Sequence, residues 1–294
     1  MERTRGIKKV LIYTLVANSL VSAVKTSYGM FTHSIAMVSD GFHSFFDGIS
    51  NVVGLLGIWI ASHPPDRDHP YGHRKYETLF TMAIASMIFF TCYQIFTKAY
   101  ASFFEDHTTV VTPISFGVMA FTMAVNLGVM SYETMKGRAL KSDFLLADAR
   151  HTKSDILVSG SVILGLIFTK LGYSHADAVI GVIIAFLIAR IGYEVLKEAS
   201  AILVDTVCID TYSVETVVNM IEGVRGCHDV RTRGTEHCIF LDLHVLVDKE
   251  LSVERAHEIA DLIESTIKEK FPSIVDIVVH VEPEEIIGPA RKVP

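Results

Sequence analysis

The stretch SIAMVSDGFHSFFDGISNVVGLLGIWIAS, residues 34–62, decides the fold. It exceeds the roughly 20 mostly apolar residues that a membrane helix needs, yet Asp40, His43 and Asp47 sit inside it. Ionisable groups in hydrocarbon are costly and point to function. His43 and Asp47 are four apart, so they share one helix face, about 6 Å apart along its axis. A second long segment, residues 144–170, contains LLADARHTKSDILVSG and repeats the spacing with His151 and Asp155. Packed helices lie about 8–10 Å apart. Two facing pairs would therefore converge two imidazoles and two carboxylates on one point, a tetrahedral set suited to zinc or a similar divalent ion. The metal's charge would offset the buried carboxylates. A plainer alternative is two helix-packing hydrogen-bond pairs.

Outward from these segments, the chain of 294 residues is half hydrophobic, with a net charge of -7. No basic face argues for nucleic acid. Cys92, Cys208, Cys227 and Cys238 form no CxxC pair or dense framework, so disulfides are not expected to hold the fold. The run after MERTRGIKK lacks a small-residue cleavage site, so no cleavable leader is expected. Six spans are predicted, at roughly 10–31, 35–61, 79–103, 113–134, 144–170 and 177–199. A soluble bundle with buried helices is the alternative that these lengths disfavour.

Basic residues set the orientation. Arg3, Arg5, Lys8 and Lys9 precede the first span; Arg67, Arg74 and Lys75 follow the second; Lys136, Arg138 and Lys141 follow the fourth. The opposite loops, such as EDHTTVVTP, are nearly free of them. The positive-inside rule then puts both termini in the cytoplasm.

Past Asp205 the pattern changes. IDTYSVETVVNMIEGV reads as an amphipathic helix, and SVERAHEIADLIESTIKEKF as another with Ser252 as its N-cap. CIFLDLHVLVD alternates, with Ile239, Leu241, Leu243, Val245 and Val247 on one face. In VDIVVHVE, Val275, Ile277, Val279 and Val281 oppose Asp276, Val278, His280 and Glu282. The expected domains are a helical membrane unit at 1–205 and an α-β-β-α-β unit at 206–294.

SDGFHSFFD and ADARHTKSD resemble the signature of the cation diffusion facilitator family. That resemblance covers nearly the whole chain: six spans, cytoplasmic termini and a ferredoxin-like α+β cytoplasmic domain. It implies a homodimer in the lipid bilayer that exports Zn2+ or a related divalent ion in exchange for protons, not an enzyme. By the motif, His43, Asp47, His151 and Asp155 would be the transport site. A His at the first position leans toward zinc over manganese or iron. In the loop HPPDRDHPYGHRKYE, Asp66, His69 and His73 match the family's loop site, with His63 and Asp68 as extra candidates. His228, His244, His257, His280 and Glu282 match its cytoplasmic-domain site near the dimer contact, where the metal acts as a regulatory ligand. Lys75 and Asp205 match an ion-pair interlock.

Other polar residues are less decided. Asp40, Asp143 and Asp148 could support the ligands or wet the ion path, while packing or snorkelling explains Lys25 and Asn126 as well as function does. Cys227, His237 and Cys238 are either soft ligands or merely buried. Four protein ligands leave no vacant position, which argues against a zinc hydrolase. No GxxxxGK[ST] motif supports an ATP-driven pump. A metal sensor that binds without transport, and an inactive subunit of a heterodimer, are the remaining rivals; the latter would usually have lost one core ligand.

Overall fold

The computed structural model describes residues 2–31, 35–101, 113–170 and 176–284. Two compact units emerge, Met1–Ser200 and Ala201–Pro294. The first is built on six long helices: α1 (Glu2–Phe31), α2 (Ile35–Ala61), α3 (Lys75–Ala101), α4 (Pro113–Leu140), α5 (Asp143–Lys170) and α6 (Ala176–Leu203). Among the described residues, Glu2–Tyr28, Lys75–Ala101 and Ala178–Leu203 are long and apolar enough to cross a membrane. Helix α5 departs from that pattern because Asp143, Asp148, Arg150, Lys153 and Asp155 interrupt it. Large apolar side chains such as Trp59, Phe90, Phe121 and Phe186 are exposed, the pattern of helices whose outer face meets lipid rather than water.

One end of this unit is tied by charge. Arg3 Nη2 donates to Glu77 Oε2 at 3.0 Å and to the Lys141 carbonyl at 2.8 Å, and its Nε donates to the Leu140 carbonyl at 2.9 Å. Ser142, fully buried, donates to Glu77 Oε1 at 2.6 Å. The start of α1, the start of α3 and the α4–α5 turn therefore share one end. Behind this lies an apolar cluster that includes Ile7, Leu11, Ile58, Ile84, Ile88, Phe144 and Ile188. Gly54 makes the closest approach in it: a Cβ there would lie 2.3 Å from the Phe144 ring. A larger residue at 54 would push α2 off α5.

The second unit runs α7 (Thr211–Asn219), β1 (Val224–Thr235), β2 (Cys238–Val247), α8 (Val253–Lys270) and β3 (Ile274–Pro283). Strand β2 lies between β1 (antiparallel) and β3 (parallel). Ser252 caps α8 by accepting from the Arg255 N–H at 3.2 Å. Ile259, Ile263 and Ile267 recur on one side of α8 and belong to the same core as Ile239, Leu241, Leu243, Val245 and Val247.

Two sequence expectations need correction here. Helix α7 ends at Asn219 rather than running on to Val224; the chain turns through Gly223 at φ +96 and enters β1. Val275 is exposed, and Ile274 takes the buried place. The β2–β3 register jumps from Ile239↔Ile274 to Phe240↔Asp276, so Val275 is the residue skipped.

Candidate metal centre

Helices α2 and α5 touch at a short seam, and its two contacts give their relative direction. Gly54 faces Phe144, and four residues nearer the start of α2, Ser50 Oγ donates to Asp148 Oδ1 at 3.0 Å. Moving back along α2 thus matches moving forward along α5, so the helices are antiparallel. Continued at equal rise per residue, that direction would bring Asp47 toward the level of His151 and His43 toward that of Asp155. Steps of four, three and four keep to one stripe of each helix. The side chains of Asp40, His43 and Asp47 lie outside the described residues, so their positions are given by the helix alone. His151 is 3% exposed and Asp155 half-buried.

Beside the seam lies a carboxylate that sequence reading passed over. Glu133 on α4 is buried, its Oε2 accepting from Thr152 Oγ1 at 3.3 Å. It sits at the end of the expected span 113–134, where a Glu reads as an interface residue; only its packing shows otherwise. Lys25 is also buried, and donates to Ser44 Oγ at 3.0 Å, so it joins α1 to α2 rather than snorkelling outward.

The loop after α2 brings Asp66, His69 and His73 together, with one ligand atom from each within 4.8 Å of the others. Asp66 Oδ1 accepts from the backbone N–H groups of Asp68 at 3.0 Å and His69 at 2.7 Å. The His69 N–H chiefly holds the Asp66 carboxyl below its ordinary range. His73 is the buried member, its Nε2 3.4 Å from Asp66 Oδ2. His63 is near, its ring centroid 5.9 Å from that of His73, while its Nδ1 engages the Ile60 carbonyl at 3.1 Å.

In the second unit the sheet does the positioning. His228 pairs with His244 across β1 and β2, and His244 pairs with His280 across β2 and β3. The three imidazoles form one row, and Glu282 reaches into it. Its carboxylate lies 2.9 Å from His244 Nδ1, 3.2 Å from His228 Nε2 and 3.4 Å from His280 Nε2. Contact with His244 is the main reason its carboxyl sits below the usual range. Asp229 adds a carboxylate beside His228 and His244 that sequence reading did not single out. His257 stands apart, exposed on α8 beside Asp261. Burial pushes the Cys227 thiol up to about 11. Lys75 opens α3 in the first unit, and Asp205 follows α6 in the second.

Comparison with known proteins agrees with this organisation. The cation efflux transmembrane domain matches residues 11–204, and the cation efflux protein cytoplasmic domain matches residues 209–284. An uncharacterized transporter of Methanocaldococcus jannaschii is 32% identical over 95% of this chain and 99% of its own. The manganese efflux system proteins MneS and MneP of Bacillus subtilis are 30% and 28% identical, over 97% and 96% of this chain and 99% and 98% of theirs. This chain therefore belongs to the cation efflux family, the cation diffusion facilitators, whose members are membrane transporters and not enzymes.

Proposed function

We propose that this protein exports divalent metal cations from the cytoplasm in exchange for protons, with zinc the first-choice substrate. The observation that supports the reading is the antiparallel course of α2 and α5 at the Ser50–Asp148 and Gly54–Phe144 contacts, which is compatible with a meeting of the two His–Asp motifs. His43, Asp47, His151 and Asp155 then form the transport site, two nitrogens and two oxygens, a set that zinc accepts. The proposal includes six membrane spans, both termini in the cytoplasm, a homodimer, domains at 1–205 and 206–294, and a Lys75–Asp205 interlock. The matched cytoplasmic-domain family supports dimerisation. A second reading, manganese as substrate, is favoured by the names of two relatives.

Exchange follows from the ligands. An imidazole must be neutral to bind metal and titrates near pH 6.5, so protons and metal compete for the same groups. A site open to the cytoplasm loads metal and releases protons; open to the other side, it meets protons that displace the metal. Metal at Asp66, His69 and His73, or on the His228–His244–His280–Glu282 row, biases this cycle if it favours one state. His257 joins that second site through the dimer contact.

The test is transport into sealed vesicles carrying a metal-sensitive dye, run with Zn2+, Mn2+, Fe2+, Co2+ and Cd2+ at two pH values. Zinc is expected to move fastest and to acidify the opposite compartment. Absence of flux for every metal refutes export, and fastest flux for Mn2+ replaces zinc by the second reading.

A further inference from the structure

We propose that Lys25 is a tethered cation of the transport site: its ammonium balances the acidic positions of α2 while the site is empty, and gives way when a metal ion loads. This rests on the export reading above and adds a residue to it. Lys25, in the second half of α1, is 5% exposed; its Nζ donates to Ser44 Oγ at 3.0 Å, and Ser44 is itself 7% exposed. Three further contacts fix how α1 and α2 run. A Cβ at Gly54 would lie 3.3 Å from Leu11 Cδ1, Thr14 Oγ1 donates to Asn51 Oδ1 at 2.7 Å, and a Cβ at Gly48 would lie 3.7 Å from Leu15 Cδ1. Moving forward along α1 thus matches moving back along α2. From the Thr14–Asn51 contact, eleven residues of equal rise bring the Lys25 backbone level with position 40 of α2. A lysine side chain on a helix leans toward that helix's N-terminus, which carries the ammonium on to the level of Ser44.

An ammonium buried between membrane helices needs a counter-charge, which one hydroxyl does not supply. The sole acidic residue of α1, Glu2, opens that helix, about 35 Å away along the axis. Glu133 of α4 is within hydrogen-bond reach of Thr14, about 16 Å of helix rise short of Lys25. Helix α2 carries two acidic residues, Asp40 and Asp47. They stand four residues before Ser44 and three after it, the two spacings at which helix neighbours lie about 5–6 Å apart between Cβ atoms. The ammonium therefore sits between positions 40 and 47, and Asp47 is one of the four proposed ligands. Asp40, to which the ligand set gives no role, becomes the group toward which the ammonium retreats.

Arg3 shows how this chain holds a carboxylate that is to stay in place: its guanidinium and the Ser142 hydroxyl both donate to Glu77. A lysine is the opposite device, three rotatable donors on a flexible stem. It can release one acceptor and keep another. With the site empty, Lys25 reaches Asp47 from Ser44; with metal bound, it keeps Ser44 and Asp40. A neighbouring ammonium also repels a divalent ion. The site then binds less tightly than its four ligands alone would, and the ion can leave, the balance of entry and release that transport requires.

The test is calorimetric titration of the full chain in lipid nanodiscs, with Zn2+ as probe. The background carries His69→Ala and His73→Ala in the loop and His244→Ala and His280→Ala in the sheet, which silences both other sites. Lys25→Gln keeps a donor for Ser44 and removes the charge; it is expected to lower the Zn2+ dissociation constant about tenfold. Ser44→Ala keeps the charge and removes the group that holds it aside; it is expected to raise that constant about threefold. Opposite signs at the two ends of one hydrogen bond are what competition gives and what a packing role does not. In vesicles, Lys25→Gln should lower the half-saturating Zn2+ concentration and the maximal rate together, since tighter binding slows release. A Lys25→Gln constant equal to or above that of the background, in protein that elutes as the background does, overturns the tethered cation; should that variant not fold, Ser44→Ala decides by the sign of its shift. If the wild-type protein moves no metal while Lys25→Gln binds Zn2+ more tightly, the export reading falls and the tethered cation stands. If transport runs and Lys25→Gln leaves binding unchanged, the export reading stands and the tethered cation falls.

Discussion

The α2–α5 seam and the β1–β2–β3 row assemble similar groups by different means. The seam uses the spacing of two helices and buries what it collects: His151, Asp148 and Ser50 are all under a tenth exposed. The row uses strand register, and Glu282 holds it together: its carboxylate hydrogen-bonds His244 and lies within 3.4 Å of a ring nitrogen of His228 and of His280. Buried carboxylates without fixed partners need a proton or a cation to complete them. A partly exposed carboxylate among imidazoles does not. On the function proposed above, the seam would couple binding to movement, and the row would let metal adjust a domain that is already folded.

The largest test of this contrast removes a seam ligand. Asp155→Ala is expected to lower flux at least about 100-fold while leaving a folded dimer, since it would remove one of the four proposed ligands. Asp47→Ala on the facing helix should do the same. Vesicle flux beside size-exclusion elution is the measurement, and flux retained in both variants removes the seam from the mechanism.

A smaller effect is expected in the row. His244 is on the central strand and touches the groups on both sides. His244→Ala should weaken metal binding by the second unit about 10- to 100-fold, while flux at saturating metal changes only about threefold or less, as fits a regulatory coupling. Calorimetric titration and vesicle flux on the same preparation check this. A loss of flux as large as for Asp155→Ala would erase the distinction between the two sites. His257→Ala is the internal control: it should leave the row intact and alter only metal-dependent dimerisation.

Local periodicity carried much of this into the sequence. The His–Asp pairs are visible because four residues is one helical turn, and the inward face of β2 because side chains alternate. The Asp66, His69 and His73 triad was legible through the family resemblance, in a short Pro-rich loop whose residues alone left metal binding open. What periodicity does not hold is the partner across a seam. Nothing in the spacing of Ser50 says that it reaches Asp148, and Glu133 is legible only as a charge near the end of a span. Asp148 was readable as polar but not as one of a pair. Val275 fails differently: alternation predicts it inward, and a register skip of one residue turns it out. Apart from the early end of α7, where the chain turns locally through Gly223, these misses involve contact between segments far apart in sequence, which no single segment encodes.

The smallest expected effect concerns the row without metal. Contact with His244 holds Glu282 below its ordinary value of 4.5. A depressed carboxyl favours the folded state above its unfolded pKa, and this contribution is lost as pH falls through the lowered native value. In the metal-free full-length protein, Glu282→Gln should therefore reduce amide-exchange protection of β2 and β3 at pH 6, by less than about fivefold for a partly solvated pair. That difference should shrink as pH falls below about 4.5 and vanish once wild-type Glu282 is protonated. A gap unchanged down to pH 3 would mean that Glu282 acts through packing rather than through its charge.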